Sequence, residues 1–181
     1  LLDAVVDFLP SPADLPAIEG TNPKTEEGET RSPHFKDPFC ALAFKTVADS
    51  HGDLVYIRIY SGKLKTGAQV LNSRTGKKDR AQKLYLMHAN HREQLDEALA
   101  GSILAVVGFR HTSTGDTISD PANAIVLEPP VFPERVITMA IEPISTEDRD
   151  KLLECLDKLA REDPTFGWKT DCLLYTSDAA D

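Results

Sequence analysis

Proline placement constrains this chain more than any other feature. Of its 12 prolines, six lie at or before Pro38 and six at or after Pro121, and residues 39–120 contain none. Proline cannot donate to a β-ladder, so a long proline-free window between proline clusters is where the interior of a sheet can form. Within it, glycines at 52, 62, 67, 76, 101, 108 and 115 mark turns, and the segments between them are rich in β-branched and apolar residues. FCALAFKT (39–46) alternates Phe39, Ala41 and Ala43 against Cys40, Leu42 and Phe44. LVYIRIY (54–60) places Val55, Ile57 and Ile59 on one face and Tyr56, Arg58 and Tyr60 on the other. Further strands are predicted over 68–72, 81–87, 102–107 and 124–127. Six or more short strands, frequent Gly turns and no long helix predict a mainly β fold, a closed barrel or a sandwich, over 38–128.

The flanks read differently. Leu2, Val5, Val6 and Leu9 share one face at helical spacing, which predicts a helix over 1–9. A chain that opens inside an amphipathic helix is expected to be a piece of something longer. Residues 10–37 hold five prolines and the acidic, apolar-poor stretch Glu19 to Glu29, and are expected to be a linker or flexible loop. Pro121, Pro129, Pro130 and Pro133 punctuate a second boundary. Beyond it, RVITMAI (135–141) predicts a strand, and Ser145 with Asp148 three residues on predicts a capped helix start. Leu152, Leu153, Leu156, Leu159 and Ala160 form the helical stripe, Asp163-Pro164 stops it, and 166–170 is a possible next strand. A strand, a helix and a strand open an incomplete α+β domain over 134–171.

Function classes narrow by elimination. No apolar run approaches the roughly 18 residues a membrane helix needs, and no basic-then-apolar leader opens the chain. Cys40, Cys155 and Cys172 are too few and too scattered for a disulfide framework or a metal knuckle, so packed free thiols and a cytoplasmic-type compartment are expected. Gly62 and Gly67 have the separation of a phosphate loop, but Ala68 and Gln69 stand where Lys and Ser/Thr are required. Asp49 to Gly52 has the shape of a D-x-x-G element, too short a match to carry meaning. His88 and His91 lack further ligands at metal-binding spacing. No strained nucleophile turn is present, so no catalytic or metal residues are assigned.

Charge is more informative. The formal net charge is −9, which argues against a polyanionic partner. Yet Arg58, Lys63, Lys65, Arg74, Lys77, Lys78, Arg80 and Lys83 face one acid, Asp79, a local +7; the remainder carries 12 cations and 28 acids, −16. Arg74 to Lys78 reads as a hairpin tip presenting several cations. Two readings stand side by side: a phosphate-binding edge, or a solvated hairpin serving solubility. Thr114 to Thr117 reads as a tight turn with Gly115 at positive φ.

The residues also resemble a known family. The opening LLDAVVDFLPSP, then FCALAFKT, YSGKLKTGAQVLN, MHANHREQLDE with TGDT, FPERVITMAIEP and DKLLECLDKLAREDPTF are similar to elongation factor G, from Leu1 to about Asp171. The resemblance implies the last helix of a GTPase domain (1–9), a Greek-key-type β-barrel second domain (38–128), and the start of a ferredoxin-like third domain (134–171). It implies a parent that binds GTP and Mg and hydrolyses GTP while moving tRNA and mRNA through the ribosome. This stretch lacks the P-loop and guanine-reading elements and is expected to be inactive alone, with no cofactor of its own. The implied partners are small-subunit ribosomal RNA and the other domains of the same chain, in a cytoplasmic monomer without membrane contact. The candidate RNA-contact residues are Arg58, Lys63, Lys65, Arg74, Lys77, Lys78 and Arg80. A ribosomal-protection or other non-elongating translational GTPase, or a free-standing RNA-binding barrel, is the alternative. Gly167-Trp168 stand where the family usually has a basic residue and a Val, and residues 172–181 match nothing in the family and are expected to be a non-native tail.

Overall fold

The computed structural model describes residues 1–12, 14–47, 53–89, 91–128, 137–143 and 145–170. Contacts divide the chain into two compact units, Leu1–Val131 and Phe132–Asp181.

The first unit opens with α1 (Leu2–Phe8), which ends where Leu9 turns extended ahead of Pro10. Thirteen strands follow among the described residues: β1 (Ile18–Thr21), β2 (Gly28–Arg31), β3 (Cys40–Val47), β4 (Leu54–Ser61), β5 (Lys63–Lys65), β6 (Gln69–Asn72), β7 (Lys78–Arg80), β8 (Lys83–His88), β9 (His91–Leu95), β10 (Glu97–Leu99), β11 (Ile103–Val107), β12 (Thr117–Ser119) and β13 (Val126–Leu127). Eight of them form one curled antiparallel sheet in the order β7-β6-β12-β3-β4-β11-β8-β9. The two central insertions, β12 between β6 and β3 and β11 between β4 and β8, are long-range returns of the Greek-key kind. The mainly β expectation holds, as a curled half-barrel.

Alternation sets the core. In β4, Val55, Ile57 and Ile59 are fully buried while Tyr56, Arg58 and Tyr60 face the other way. Phe39, Ala41, Ala43, Leu84, Leu104, Val106, Phe109 and Ile118 join them. The separate β5–β10 ribbon turns Leu64 and Ala98 into the same core. Burying a side chain the size of Ile57 stabilises the fold by roughly 1.5–3 kcal/mol. The β3–β4 register shifts between Ala43 and Lys45, so Phe44 occupies an irregularity and stands exposed.

Residues 18–31, part of the expected linker, instead form a β-hairpin, and β13 completes a three-stranded sheet in the order β13-β1-β2. The acidic composition is real, but this hairpin needs few apolar side chains. Its turn is held by Asn22, whose Oδ1 accepts the Lys24 amide at 2.9 Å and whose Nδ2 donates to Glu29 at 2.7 Å. One side rests on Cys40, Ile125 and Leu127 through Ile18. Gly20 permits that approach: a Cβ there would lie 2.7 Å from the Val126 carbonyl oxygen. Burial in this seam pushes the Cys40 thiol up to about 12.

The second unit contains α2 (Thr146–Glu162). It begins as expected: Ser145 Oγ accepts the Asp148 amide at 3.3 Å and donates to Asp148 Oδ2 at 2.7 Å. Asp163 caps it through its N–H to Leu159 O, and Pro164 follows. The strand expected over 135–141 is not present at 137–141, where Ile137, Met139 and Ile141 stand exposed; Arg135 and Val136 lie outside the described residues. Nor do residues 166–170 form a strand. Alternation alone does not make a strand. Ladder bonds need a partner, and among the described residues this unit offers none. Cys155, expected to be packed, is exposed on α2. Residues 49–52, the proline boundary at 129–133, Cys172 and the expected tail lie outside the described residues. Among the described residues no helix is long and apolar enough to cross a membrane.

Candidate nucleic-acid interface

The cations that are contiguous in sequence are separated by the topology. Arg74, Lys77, Lys78 and Arg80 belong to the β6–β7 hairpin at one end of the strand order. Lys63 and Lys65 project from β5 and share one acid, Glu97, at 3.9 and 3.4 Å. Arg58 lies on the outer face of β4, beyond β12 and β3, with its guanidinium 5.3 Å from the Tyr60 ring centroid. Lys83 is exposed on β8, opposite Val107. The +7 stretch is therefore three or more local groups, and the hairpin holds the densest.

That hairpin has two faces. Lys78 and Arg80 point outward while Asp79, between them, is buried, as strand alternation demands. Asp79 accepts the Arg110 amide at 3.2 Å, the His111 amide at 3.1 Å and the Thr112 hydroxyl at 3.1 Å. Arg80 Nε donates to Gly67 O at 2.9 Å. In the turn, Gly76 adopts φ 68° and its N–H donates to Asn72 O at 2.9 Å. Lys77 and Lys78 are exposed, and among the described residues neither forms an ion pair.

Arg74 behaves differently. Its Nε donates to Asp116 Oδ1, and its Nη2 donates to Asp116 Oδ2 at 3.1 Å. This forked contact holds the guanidinium proton more tightly than usual. Asp116 itself is buried in the Thr114–Thr117 turn, where Gly115 takes φ 93° as expected. Sequence reading did not single out Asp79, Asn72 or Asp116 as part of this site. Two signals pointed to the first two: an acid flanked by cations on a short strand must face inward, and Asn before Ser-Arg-Thr-Gly favours a side-chain-capped turn. Asp116 showed only its turn, through the Ser113 amide; its partners in the hairpin, Asn72 and Arg74, lie more than 40 residues away in sequence.

The outer face of β3–β4 adds groups also not singled out. Lys45 Nζ stands 5.8 Å from the Tyr56 ring centroid, and Phe44 tilts against Tyr56 at 6.3 Å. His88 stands opposite His91 across the β8–β9 ladder. Gly62 to Gly67 run through β5 and into a turn, not into a helix N-terminus, so this segment does not fit GTP phosphates or their Mg ion.

Two family models match the chain: elongation factor Tu domain 2 over residues 52–119, and elongation factor G domain III over residues 132–172. A solved crystal structure of a protein from Thermus thermophilus is similar, with a TM-score of 0.65 and 25% sequence identity, covering 91% of this chain and 22% of that one. The chain thus spans about a fifth of the length of that solved chain. With a second-domain barrel followed by a domain III stretch, the chain belongs to the elongation-factor-G-like translation factors.

Proposed function

We propose that this stretch docks a translation elongation factor on small-subunit ribosomal RNA, with the β6–β7 hairpin as its principal phosphate contact. The parent protein is then a cytoplasmic, monomeric GTPase that drives translocation of tRNA and mRNA. GTP and Mg are held by another part of it, and the barrel couples that part to the ribosome. The observation that carries the docking reading is the exposed Lys77–Lys78 pair at a hairpin tip, with no acid paired to either lysine among the described residues. A solvated hairpin serving only solubility has no need of such a fixed display. Each lysine that neutralises a phosphate releases counterions, so log K falls with log salt by about 0.7–0.9 per contact.

Charge reversal tests it. The Lys77→Glu/Lys78→Glu variant of the 181-residue chain is titrated onto purified small ribosomal subunits over a series of salt concentrations. Affinity is expected to fall by about tenfold or more, and the salt slope to shrink by about 1.4–1.8. Unchanged affinity with an unchanged slope removes the hairpin from the interface.

A further inference from the structure

We infer that Asp116 is a positioning residue for the cationic tip, and that Arg74 is its strut and not one of the phosphate ligands. This rests on the docking reading for its consequence, though not for its geometry. The Asp116 carboxylate is buried and accepts from four donors: Asn72 Nδ2 at 2.8 Å, the Ser113 amide at 2.8 Å, and Nε and Nη2 of Arg74. Asn72 is fully buried and relays that anchor into the turn. Its Oδ1 accepts the amides of Arg74 and Thr75, both at 3.0 Å, and its Nδ2 also donates to His111 O at 2.9 Å. Its backbone completes the loop, with Asn72 N donating to Lys77 O and Gly76 N donating to Asn72 O, both at 2.9 Å. Ser73 is tied down too, by its amide to Thr117 O and by its hydroxyl to Ser119, each at 2.9 Å.

A network in which each member is satisfied is rigid, because any displacement strands a buried donor or acceptor. The fork of Arg74 matches a carboxylate in a way that a lysine ammonium cannot. With two of its donors engaged by Asp116, Arg74 contributes no net charge to the tip. The display that remains is Lys77 and Lys78, held at positions fixed by Asp116 through Asn72.

Charge and position predict opposite signs for one substitution. If Asp116 acts only as a nearby anion, Asp116→Asn makes the tip more positive and strengthens binding to a polyanion. If it positions the tip, the same change loosens the turn and weakens binding, despite the added positive charge. Arg74→Gln supplies a second variant, at a side chain that is 60% exposed and that keeps an amide donor for Asp116.

The test compares Asp116→Asn, Arg74→Gln and Lys77→Gln in the 181-residue chain. Binding to purified small ribosomal subunits is read across salt, and amide hydrogen exchange is read at residues 74–77. We expect Asp116→Asn and Arg74→Gln to weaken binding about threefold to tenfold with the salt slope kept, and Lys77→Gln to lower the slope by about 0.7–0.9. Tighter binding by Asp116→Asn, or an Arg74→Gln variant that either loses slope like Lys77→Gln or loses no affinity, overturns the inference. If Lys77→Gln leaves the slope unchanged, the docking reading fails by itself. Amide exchange then decides the positioning role alone: faster exchange at 74–77 in Asp116→Asn sustains it, and unchanged exchange overturns it.

Discussion

The β6–β7 and β8–β9 hairpins lie at opposite ends of the same sheet and keep their shape by different means. In β8–β9 the anchor is apolar: Leu84 is buried opposite Leu95, and the five ladder pairs run from there to His88 and His91, both exposed. In β6–β7 the ladder is only three pairs long and Val70 is its single buried apolar side chain. Buried polar groups take over, with Asp79 and Asn72 facing inward and Asp116 reaching in from the Thr114–Thr117 turn. The difference concerns what a surface can display. A tip that presents cations to a polyanion has no apolar side chains to spare for packing, so its rigidity has to come from hydrogen bonds beneath it.

The largest expected effect comes from removing one of those acids. Asp79→Ala leaves the Arg110 and His111 amides and the Thr112 hydroxyl without their acceptor. Each stranded group costs roughly 1–3 kcal/mol, so a total loss of at least about 3 kcal/mol is expected in urea unfolding. Glu93→Ala, at an exposed position on β9, is expected to stay within about 0.5 kcal/mol. Equal losses in the two variants would erase the distinction between the hairpins.

The sequence made one kind of element legible and hid another. β3 and β4 announced themselves because alternation over eight residues is long enough to show a period, and β11 because ILAVV is an unbroken apolar run. KLK, KDR, EAL and TIS are three-residue strands, and no period can be read from three residues. β9, HREQL, is nearly all polar because it is an edge strand with its side chains in water. β1 and β2 were masked by composition: most of their pairing is backbone, and backbone bonding has no compositional signature. In α2 the information was local, from the Ser145 cap to the Asp163-Pro164 stop, and the reading held. The cationic stretch was equally plain as a count. Its division was not, since β12 and β3 separate Arg58 from the hairpin only after strands distant in sequence have paired.

A smaller effect sharpens the comparison further, because the two turns place different residues in the left-handed region. Gly76 has φ 68° in the β6–β7 turn, and Ala89 has φ 52° in the β8–β9 turn. A side chain in that region costs roughly 1 kcal/mol relative to glycine. Nothing lies within 4 Å of a Cβ added at Gly76, so Gly76→Ala introduces backbone strain without a clash. Ala89 is exposed, so Ala89→Gly removes the strain with little loss of packing. On backbone grounds alone, then, the first change destabilises and the second stabilises by about 1 kcal/mol each, and the double variant returns to the parent. The Gly76 amide, however, is bonded to Asn72 O, and Asn72 is bonded to Asp116. Strain at Gly76 is therefore passed into a buried network, whereas relief at Ala89 acts on an exposed tip. Urea unfolding should find Gly76→Ala costing more than Ala89→Gly returns, and that excess measures the coupling of the cationic turn to its buried acid. Full cancellation would mean that the two hairpins differ in turn residue and in nothing deeper.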